Sequence, residues 1–451
     1  MNKRHTSWKL AGVSLTVMCL PLIANAETAR TARPNIIFIL ADDLGAEALG
    51  CYGGKNYKGL GSVRTPNLDA LARDGMRFQQ FFSTPNCSPT RAQFLTGQYN
   101  FRTGFTDILG RNGATTSLDT KAHPTVAVLL KEAGYATAVV GKWHVGPPEG
   151  MAEIPRSAEE DTAYPHPRDG GFDRQCLIAG AHLRLYGKPE PESAYTPALL
   201  QDWALRFIES REGKPEPFFL YYASPIPHVP LFPTPLNAED AKGQAGGYGS
   251  AQKGDNKNFP FLIEYLDRQV GEILAKLDET GLRDSTLVLF AGDNGTHRSI
   301  STEMADGRVV RGGKGTMLDT GSWVPLLANW PGVVPAGSVY EGLVDFTDLF
   351  PTFLDLAGVP VPEGIDGISF APQLQGLPGT PRAWVHSLKH DEYFVRDARW
   401  KLREDGALYD VSDSPHSETL ADAATDEAKA ARARLQAVTE HLHPSEPVGK
   451  Q

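Results

Sequence analysis

The sequence predicts a doubly wound α/β fold, in which helices cover both faces of a mixed, mostly parallel sheet, followed by a small C-terminal antiparallel sheet with a helix. Three observations lead to this prediction. Unbroken apolar runs such as Asn35 to Ala41 are typical of strands buried on both faces. These runs alternate with segments of helical periodicity. From about residue 376, short strand-like runs separated by polar turns replace this alternation.

Apolar runs predict the strands, while amphipathic spacing bounded by Pro and Gly predicts the helices. In the first part of the chain we expect strands at 35–41, 135–140, 218–223, 286–291 and 324–329, and helices at 65–75, 90–95, 123–134, 197–210, 260–280 and 346–357. In the second part we expect strands at 384–388, 393–396, 400–402 and 408–411, and a helix at 424–442. Residues 147–175, rich in Pro, Gly and acids, are expected to be a surface insertion, and 232–257 a loop.

The N-terminus is typical of a secretory signal peptide. Three basic residues precede an apolar run from Leu10 to Ala24, and Ala24-Asn25-Ala26 suits cleavage. We therefore expect an exported protein, periplasmic or secreted, without a membrane anchor. The expected division is a signal peptide over 1–26, a large α/β domain over 27–375 and a small α+β subdomain over 376–451.

A cysteine, a proline and an arginine lie close together in residues 86–97, where a loop is predicted to become a helix. Pro89 suits a first helical turn, and a glycine at the end of the stretch stops the helix. Cys87 would then lie at the positive end of the helix, with Arg91 one turn further on. A thiol in that position is expected to be acidified, and an anion to be bound there.

Polar side chains follow four predicted strands, and ligands of open α/β sheets bind beyond the carboxyl ends of the strands. Asp42, Asp43, Asp293 and Asn294 offer only oxygen atoms, which suit Ca²⁺ and, less well, Mg²⁺. Two carboxylates packed together without a cation are unfavourable. The sequence therefore predicts one divalent cation at this rim.

Basic residues are expected at the same rim. Lys142 and His144 are two apart, so an extended backbone would direct both to one side. His228 follows a strand in a Pro-rich loop, and Lys314 lies in a glycine-rich loop that lets the backbone approach an anion. Each residue alone is equally typical of a structural role, and it is their convergence on one rim that favours a functional site.

These residues resemble the motifs of the type I, formylglycine-dependent sulfatases of the alkaline-phosphatase-like superfamily. The family signature, Cys-x-Pro-x-Arg followed by Leu-Thr-Gly, is matched by Cys87, Pro89, Arg91 and residues 95–97. Further family motifs are matched by Asp42-Asp43, by Gly-Lys-Trp-His over 141–144, by His228, by Asp293-Asn294 and by Lys314. Two positions depart from the family pattern: Thr90 stands where Ser is commoner, and 319–321 read Asp-Thr-Gly instead of Glu-Gly-Gly.

The resemblance implies hydrolysis of sulfate esters, of a sulfated small molecule or oligosaccharide, through a formylglycine–sulfate intermediate with one Ca²⁺. It also implies a formylglycine-generating enzyme that oxidises Cys87 during maturation. The implied catalytic residues are Cys87, Arg91, Lys142, His144, His228 and Lys314, and the implied metal ligands are Asp42, Asp43, Cys87, Asp293 and Asn294.

Charge and cysteine count fit this expectation. The formal net charge is −10, and loss of the three positive charges in residues 1–26 makes it −13. Such a balance argues against nucleic acid as a partner, so an anionic substrate needs a local basic pocket. Cys51, Cys87 and Cys176 would remain, and an odd number leaves one unpaired. Cys87 fits the unpaired residue, and pairing of the other two stays open.

Two other functions also stay open. The first is hydrolysis of phosphonate monoesters or phosphodiesters, because some enzymes of the same superfamily use formylglycine for these substrates. The second is a non-catalytic exported binding protein that keeps the fold and the metal but never modifies Cys87.

Overall fold

The computed structural model describes Met1 and residues 33–146, 170–178, 195–237 and 254–442. The predicted signal peptide, most of the predicted insertion and part of the predicted loop lie outside these ranges. Residues from Arg33 onward belong to one unit. The limits predicted for the large domain and the small subdomain stay predictions.

The central sheet contains eight strands within the described ranges, and seven of them run parallel to one another. In chain order these are β1 Asn35–Ala41, β2 Met76–Phe82, β3 Ala136–Lys142, β4 Arg174–Ile178, β5 Phe218–Ala223, β6 Thr286–Gly292, β7 Leu326–Asn329 and β8 Ser338–Asp345. Their order across the sheet is β8-β2-β7-β6-β1-β5-β3-β4, and β7 is antiparallel to both of its neighbours. The prediction of a mixed, mostly parallel sheet is confirmed.

The longer helices lie on both faces of this sheet. They are α1 Pro66–Arg73, α2 Cys87–Thr96, α3 Val126–Glu132, α4 Thr196–Glu209, α5 Phe259–Glu279 and α6 Leu349–Ala357. A further long helix, α7 Asp426–Leu442, packs against the C-terminal sheet instead. Four-residue helices occur at Asn100–Thr103, Asp319–Ser322 and Ala371–Leu374. Ile37 and Ile39 of β1 pack in one core with α1, α4 and α5, whereas Ile36 and Phe38 pack in a second core with α2, α3 and α6. Alternating side chains of one buried strand thus supply both cores.

Three strands of the sheet are absent from the sequence prediction: β2, β4 and β8. The edge strand β8 alternates partly buried and exposed residues over its first half, so it lacks a continuous apolar run. β4 begins at Arg174, inside the stretch predicted to be a surface insertion, and pairs with β3 in parallel. Phe172, just before it, is fully buried. The surface prediction is therefore wrong for the end of that stretch, because its closing residues complete the sheet.

The C-terminal part forms an antiparallel sheet covered by α7, as predicted, with a fifth strand at Thr419–Leu420 in addition to the four predicted ones. Its strands are β9 Val385–Lys389, β10 Glu392–Arg396, β11 Trp400–Arg403, β12 Leu408–Asp410 and β13 Thr419–Leu420. Ala431 and Leu435 of α7 pack against Trp400 and Leu402 of β11. Lys401 Nζ lies 2.7 Å from Asp319 Oδ1, which attaches this sheet to the large domain.

A small four-stranded sheet, formed by Gly54–Tyr57, Gly61–Ser62, Ser301–Met304 and Val309–Arg311, lies outside the prediction. Cys51 is a half-buried free thiol, so it does not form a disulfide with Cys176, a pairing that the sequence alone could not decide. Within the described ranges, no helix has both the length and the apolar character required to cross a membrane.

Candidate active site

The site lies beyond the carboxyl ends of β1 and β6, which are adjacent and parallel. Ala41 pairs with Gly292, so the residues that follow the two strands emerge side by side. Asp43 has φ 66°, a left-handed conformation that aspartate tolerates better than most residues. Its N–H donates to Asp293 Oδ1 at 3.0 Å, and Asn294 Nδ2 donates to Asp43 Oδ1 at 2.9 Å. The two acidic loops are therefore joined directly.

Several oxygen atoms of these loops have no hydrogen-bond partner among the described residues although they are buried: Asp42 Oδ1, Asp43 Oδ2 and Asn294 Oδ1. Ligand atoms of Asp42, Cys87 and Asp293 also lie within 4.8 Å of one another. Buried polar atoms are normally paired, and carboxylate and amide oxygens are the ligands that hard divalent cations prefer. The donor set therefore fits such a cation.

Each carboxylate of the cluster also has a cationic neighbour. Lys142 Nζ lies 2.6 Å from Asp42 Oδ2, and Lys314 Nζ lies 2.5 Å from Asp43 Oδ1. Arg91 donates to Asp293 Oδ2 from Nε at 3.1 Å and from Nη2 at 2.8 Å. The local basic pocket expected from the acidic net charge is thus present.

Burial raises the pKa of all three carboxyl groups, and the neighbouring charges decide whether the net shift is up or down. Burial raises the pKa of Asp42, but the charges of Lys142, His228 and Arg91 outweigh it and hold that pKa well below its usual value. Lys314 lowers the pKa of Asp43 against burial in the same way. For Asp293, burial and the neighbouring charge of Asp42 outweigh Arg91 and raise the pKa to about 7. Asp293 is therefore the carboxyl of the cluster whose burial is compensated least by its neighbours.

Cys87 is the first residue of α2, after Asn86 in extended conformation, and it is buried. Gly97 ends the helix with φ 67°, as predicted. The predicted acidification of the thiol is not found. Burial raises the pKa of Cys87, and the opposing charges of Lys142 and Lys314 do not reverse the shift. A helix terminus lowers a thiol pKa only where desolvation is smaller than the dipole effect.

Lys142 and His144 both reach the site, but not through the extended backbone that the spacing predicts. Gly141 has φ 101°, and a Cβ there would lie 1.9 Å from the carbonyl oxygen of Ala223, so only glycine fits. His144 has φ 57°, so the chain turns after β3 ends at Lys142. Lys142 contacts Asp42, while His144 Nδ1 lies 3.2 Å from the hydroxyl of Ser88.

His228 and the loop of Lys314 complete the rim. His228 Nε2 lies 3.8 Å from Asp43 Oδ2, and burial lowers the pKa of His228 although Asp43 opposes the shift. The N–H of Lys314 donates to the carbonyl of Thr296 at 3.1 Å, and the N–H of Gly315 donates to the carbonyl of Pro85 at 2.9 Å. The glycine-rich loop is thus fixed between the loop of Asp293 and the start of α2. All the predicted site residues are brought together.

Sequence reasoning missed three residues at or beside the site. Tyr221 lies in the apolar strand β5, which made it look like core, yet its hydroxyl is 3.3 Å from Arg91 Nη1. Ser88 lies inside the matched signature but was not assigned a role. Glu47, four residues after Asp43, is buried in the segment that leads away from the acidic loop. Only for Ser88 did the sequence carry a signal, namely its place beside Cys87.

Comparisons with known proteins show sequence similarity to sulfatases. The sequence model of the sulfatase family matches residues 34–359, and that of the C-terminal part of N-sulphoglucosamine sulphohydrolase matches 313–416. Human arylsulfatase A is 33% identical over 440 residues, covering 90% of this chain and 80% of the relative. Human N-acetylgalactosamine-6-sulfatase is 34% identical over 364 residues, covering 76% of this chain and 66% of the relative.

A solved structure extends the comparison to the fold. The crystal structure of Ps i-CgsB in complex with k-i-k-neocarrahexaose has a TM-score of 0.73 and 27% identity, and the match covers 91% of this chain and 93% of the other.

Fold and site together define a hydrolase of the alkaline-phosphatase-like superfamily. Within that superfamily the chain belongs to the sulfatase family, and it is a sulfuric ester hydrolase.

Proposed function

We propose that this protein is an exported sulfatase that removes sulfate from a sulfated carbohydrate, with a formylglycine made from Cys87 and one Ca²⁺. The observation that carries the proposal is the position of Cys87. Cys87 is the first residue of α2, and its Sγ lies within 4.8 Å of ligand atoms of Asp42 and Asp293. The positive charges of Lys142 and Lys314 also favour the ionised form of its thiol. A buried cysteine that only packed would not need cationic and anionic groups on every side.

The cation would be held by Asp42, Asp43, Asp293, Asn294 and the modified residue 87. When bound, it supplies positive charge that favours an ionised hydroxyl and neutralises the sulfuryl oxygens. Ca²⁺ is favoured over Mg²⁺ because its flexible coordination tolerates ligands from separate loops. The unpartnered oxygens of Asp42, Asp43 and Asn294 support this assignment.

In the first half of the proposed reaction, one hydroxyl of the hydrated aldehyde attacks sulfur and the ester oxygen leaves with its electron pair. The carboxylate of Asp293 takes the proton of the attacking hydroxyl, and Arg91, Lys142 and Lys314 neutralise charge on the sulfuryl oxygens. His228 or Lys314 supplies the proton to the leaving oxygen. Their positions around Asp43 support this role.

In the second half, His144 takes the proton of the remaining hydroxyl, the C=O bond forms again and sulfate leaves. A thiol or a simple alcohol at residue 87 could not break down in this way, because only a carbon bearing two hydroxyls can return to an aldehyde.

Mass spectrometry of the peptide that contains residue 87, from protein made in its native host, tests the proposal directly. The aldehyde form is expected to be roughly 18 Da lighter than the thiol form. An unmodified thiol in that material would instead support the non-catalytic binding protein.

Turnover of an aryl sulfate gives the second test. We expect Cys87→Ala to lower kcat by on the order of 10³-fold or more. The matched control is Cys51→Ala, which removes a half-buried free thiol that is not among the possible metal ligands in the described ranges and is expected to leave kcat unchanged. Faster turnover of a phosphate diester or phosphonate monoester than of the sulfate ester would favour the alternative hydrolase.

The carbohydrate substrate is proposed from the names of the relatives, which include a sulfatase of N-acetylgalactosamine and a structure with neocarrahexaose bound. A screen of defined sulfated oligosaccharides, with sulfate release as the readout, tests this part. Export is proposed from residues 1–26, and N-terminal sequencing of the mature protein is expected to begin at Glu27.

A further inference from the structure

Ser88 follows Cys87 in the first turn of α2 and is fully buried. Its hydroxyl oxygen lies 3.2 Å from Nδ1 of His144 and accepts the N–H of Leu109 at 3.2 Å. One small side chain therefore connects the helix of residue 87, the turn that carries His144 and the loop that contains Leu109.

His144 is held in an uncommon conformation beside this serine. Its φ of 57° lies in the left-handed region, which a non-glycine residue adopts only where the surroundings enforce it. Burial, together with the charges of Lys142 and Arg91, holds the pKa of His144 well below its usual value. The imidazole is therefore neutral near pH 7, with a proton on one nitrogen and a lone pair on the other.

The partner of Nδ1 decides which nitrogen carries the proton. A base that acts through Nε2 needs its proton on Nδ1 and an acceptor to hold it there. The hydroxyl of Ser88 has two lone pairs, and the N–H of Leu109 uses one of them. The second lone pair is available to accept a proton from His144 Nδ1, which lies 3.2 Å away and within hydrogen-bond distance.

We propose that Ser88 is a positioning residue for His144: its oxygen accepts the Nδ1–H and thereby keeps Nε2 unprotonated and oriented toward residue 87. The inference rests on the proposed function, in which His144 accepts a proton when sulfate leaves. In that step the hydroxyl O–H bond breaks and its electron pair forms the C=O bond. The C–O bond to sulfate breaks with its pair going to the sulfate oxygen, the proton passes to Nε2, and the imidazolium keeps its hydrogen bond to Ser88.

Transient kinetics of Ser88→Ala test this role. Loss of an orienting partner is expected to lower kcat by about 10–100-fold, with a parallel fall in KM that leaves kcat/KM nearly unchanged. Because the second half of the reaction is affected, the variant should release a burst of phenol equal to its formylglycine content and then turn over slowly. Ser88→Thr keeps the hydroxyl and should restore kcat. All rates are divided by the aldehyde content measured by mass spectrometry, so incomplete conversion of Cys87 to formylglycine does not lower the reported kcat.

The matched control is Ser83→Ala, which removes another buried hydroxyl, one that donates to the carbonyls of Thr84 and Ser322 and does not contact His144. This variant is expected to keep the kcat of the wild type. A comparable fall in kcat, with the same burst, would show that loss of any buried hydroxyl slows the enzyme and would overturn the specific role of Ser88.

A readout independent of turnover comes from ¹⁵N NMR of histidine-labelled matured protein, with the His144 signals identified by their absence in His144→Asn. We expect the wild type to carry its proton on Nδ1 and Ser88→Ala to populate both tautomers. A wild-type proton on Nε2, which would mean that Ser88 donates to Nδ1 instead, overturns the proposal.

Two different results would separate the proposed function from the role of Ser88. If wild-type protein from its native host has neither aldehyde nor turnover, the proposed function fails and this inference with it. If the wild type is active and Ser88→Ala matches it in burst, kcat and tautomer, the role of Ser88 alone is wrong.

Discussion

Arg91 and Asp293 form an ion pair in which both side chains are fully buried, with Nη2 2.8 Å from Oδ2. Removing one partner of such a pair leaves an uncompensated charge in a medium that solvates it poorly. The guanidinium also donates to the carbonyl of Lys142 at 2.6 Å, so this carbonyl would lose its donor as well. Arg91 therefore serves the stability of the site in addition to its proposed role toward substrate.

We expect Arg91→Met to lower the free energy of unfolding by about 3 kcal/mol or more, measured by chemical denaturation at pH 7. The control is Arg308→Met, which breaks a pair with Asp413 at 2.6 Å whose side chains are half exposed. That change is expected to cost less than about 1 kcal/mol. Equal losses in the two variants would contradict the importance assigned to burial.

The acidic cluster predicts a calcium-dependent stability. Chelation should lower the Tm, and Ca²⁺ should restore it more effectively than Mg²⁺, with a gain of about 2.7 kcal/mol at a hundredfold excess over Kd. Asp43→Asn should abolish this response. Asp348→Asn, which alters a buried aspartate paired with Arg382, should lower stability but keep the response to Ca²⁺. A calcium response that survives in Asp43→Asn would show that the ion binds elsewhere.

Because Glu47 is buried, we expect the free energy of unfolding to fall as pH rises. The side chain of Glu47 is buried, and burial raises its pKa from 4.5 to about 7, although the side chain of Thr296 opposes the shift. Because the folded state disfavours the ionised form, the cost is absent below pH 4.5, grows between 4.5 and 7 and is complete above 7.

Glu47→Gln should therefore gain stability relative to the wild type between pH 4.5 and 8, by about 3 kcal/mol in total. Denaturation curves at several pH values measure this difference. The control is Glu264→Gln, at a partly exposed residue 3.7 Å from Arg64, where the difference should stay below about 1 kcal/mol at every pH. A constant offset between Glu47→Gln and the wild type would contradict the raised pKa.

For Asp319 we expect the opposite dependence on pH: its contribution to the free energy of unfolding falls as the solution is acidified. Burial raises its pKa, but Arg396 and Lys401 of the C-terminal sheet outweigh burial and lower the pKa from 3.8 to about 2. A lowered pKa stabilises the folded state above the unfolded value, near pH 4, and the contribution is lost as pH falls toward 2. Its ionisation is worth about 2 kcal/mol at pH 7 and about half of that at pH 3.

The measurement is the difference in unfolding free energy between the wild type and Asp319→Asn at pH 7 and at pH 3. We expect the difference to shrink at the lower pH. Asp306→Asn, which alters an exposed pair with Arg308, provides the control and should show little change. A difference that grows on acidification would refute the sign assigned to this pair.

Much of the site could be predicted because parallel strands end at one edge of the sheet. The apolar runs of β1, β5 and β6 are unmistakable, and the residues that follow them, such as Asp42, His228 and Asp293, had to meet at the same rim. The start and end of α2 were likewise specified locally, by Pro89 and Gly97. Strands β2 and β8 were not predicted. They lie at or next to an edge of the sheet, where only some side chains are buried, so their sequences lack a continuous apolar run.

The sequence by itself determined the fold class, the residue types of the site and the family they resemble, because these depend on local periodicity and short motifs. Only the tertiary structure decided which atoms face one another. The Asp43 N–H and Asp293 Oδ1 are 250 residues apart in the chain, and Ser88 and His144 are 56 apart. Burial of the Cys87 thiol and the turn at His144 likewise depend on what packs around them. Desolvation and hydrogen-bond geometry arise from distant segments, so no local pattern encodes them.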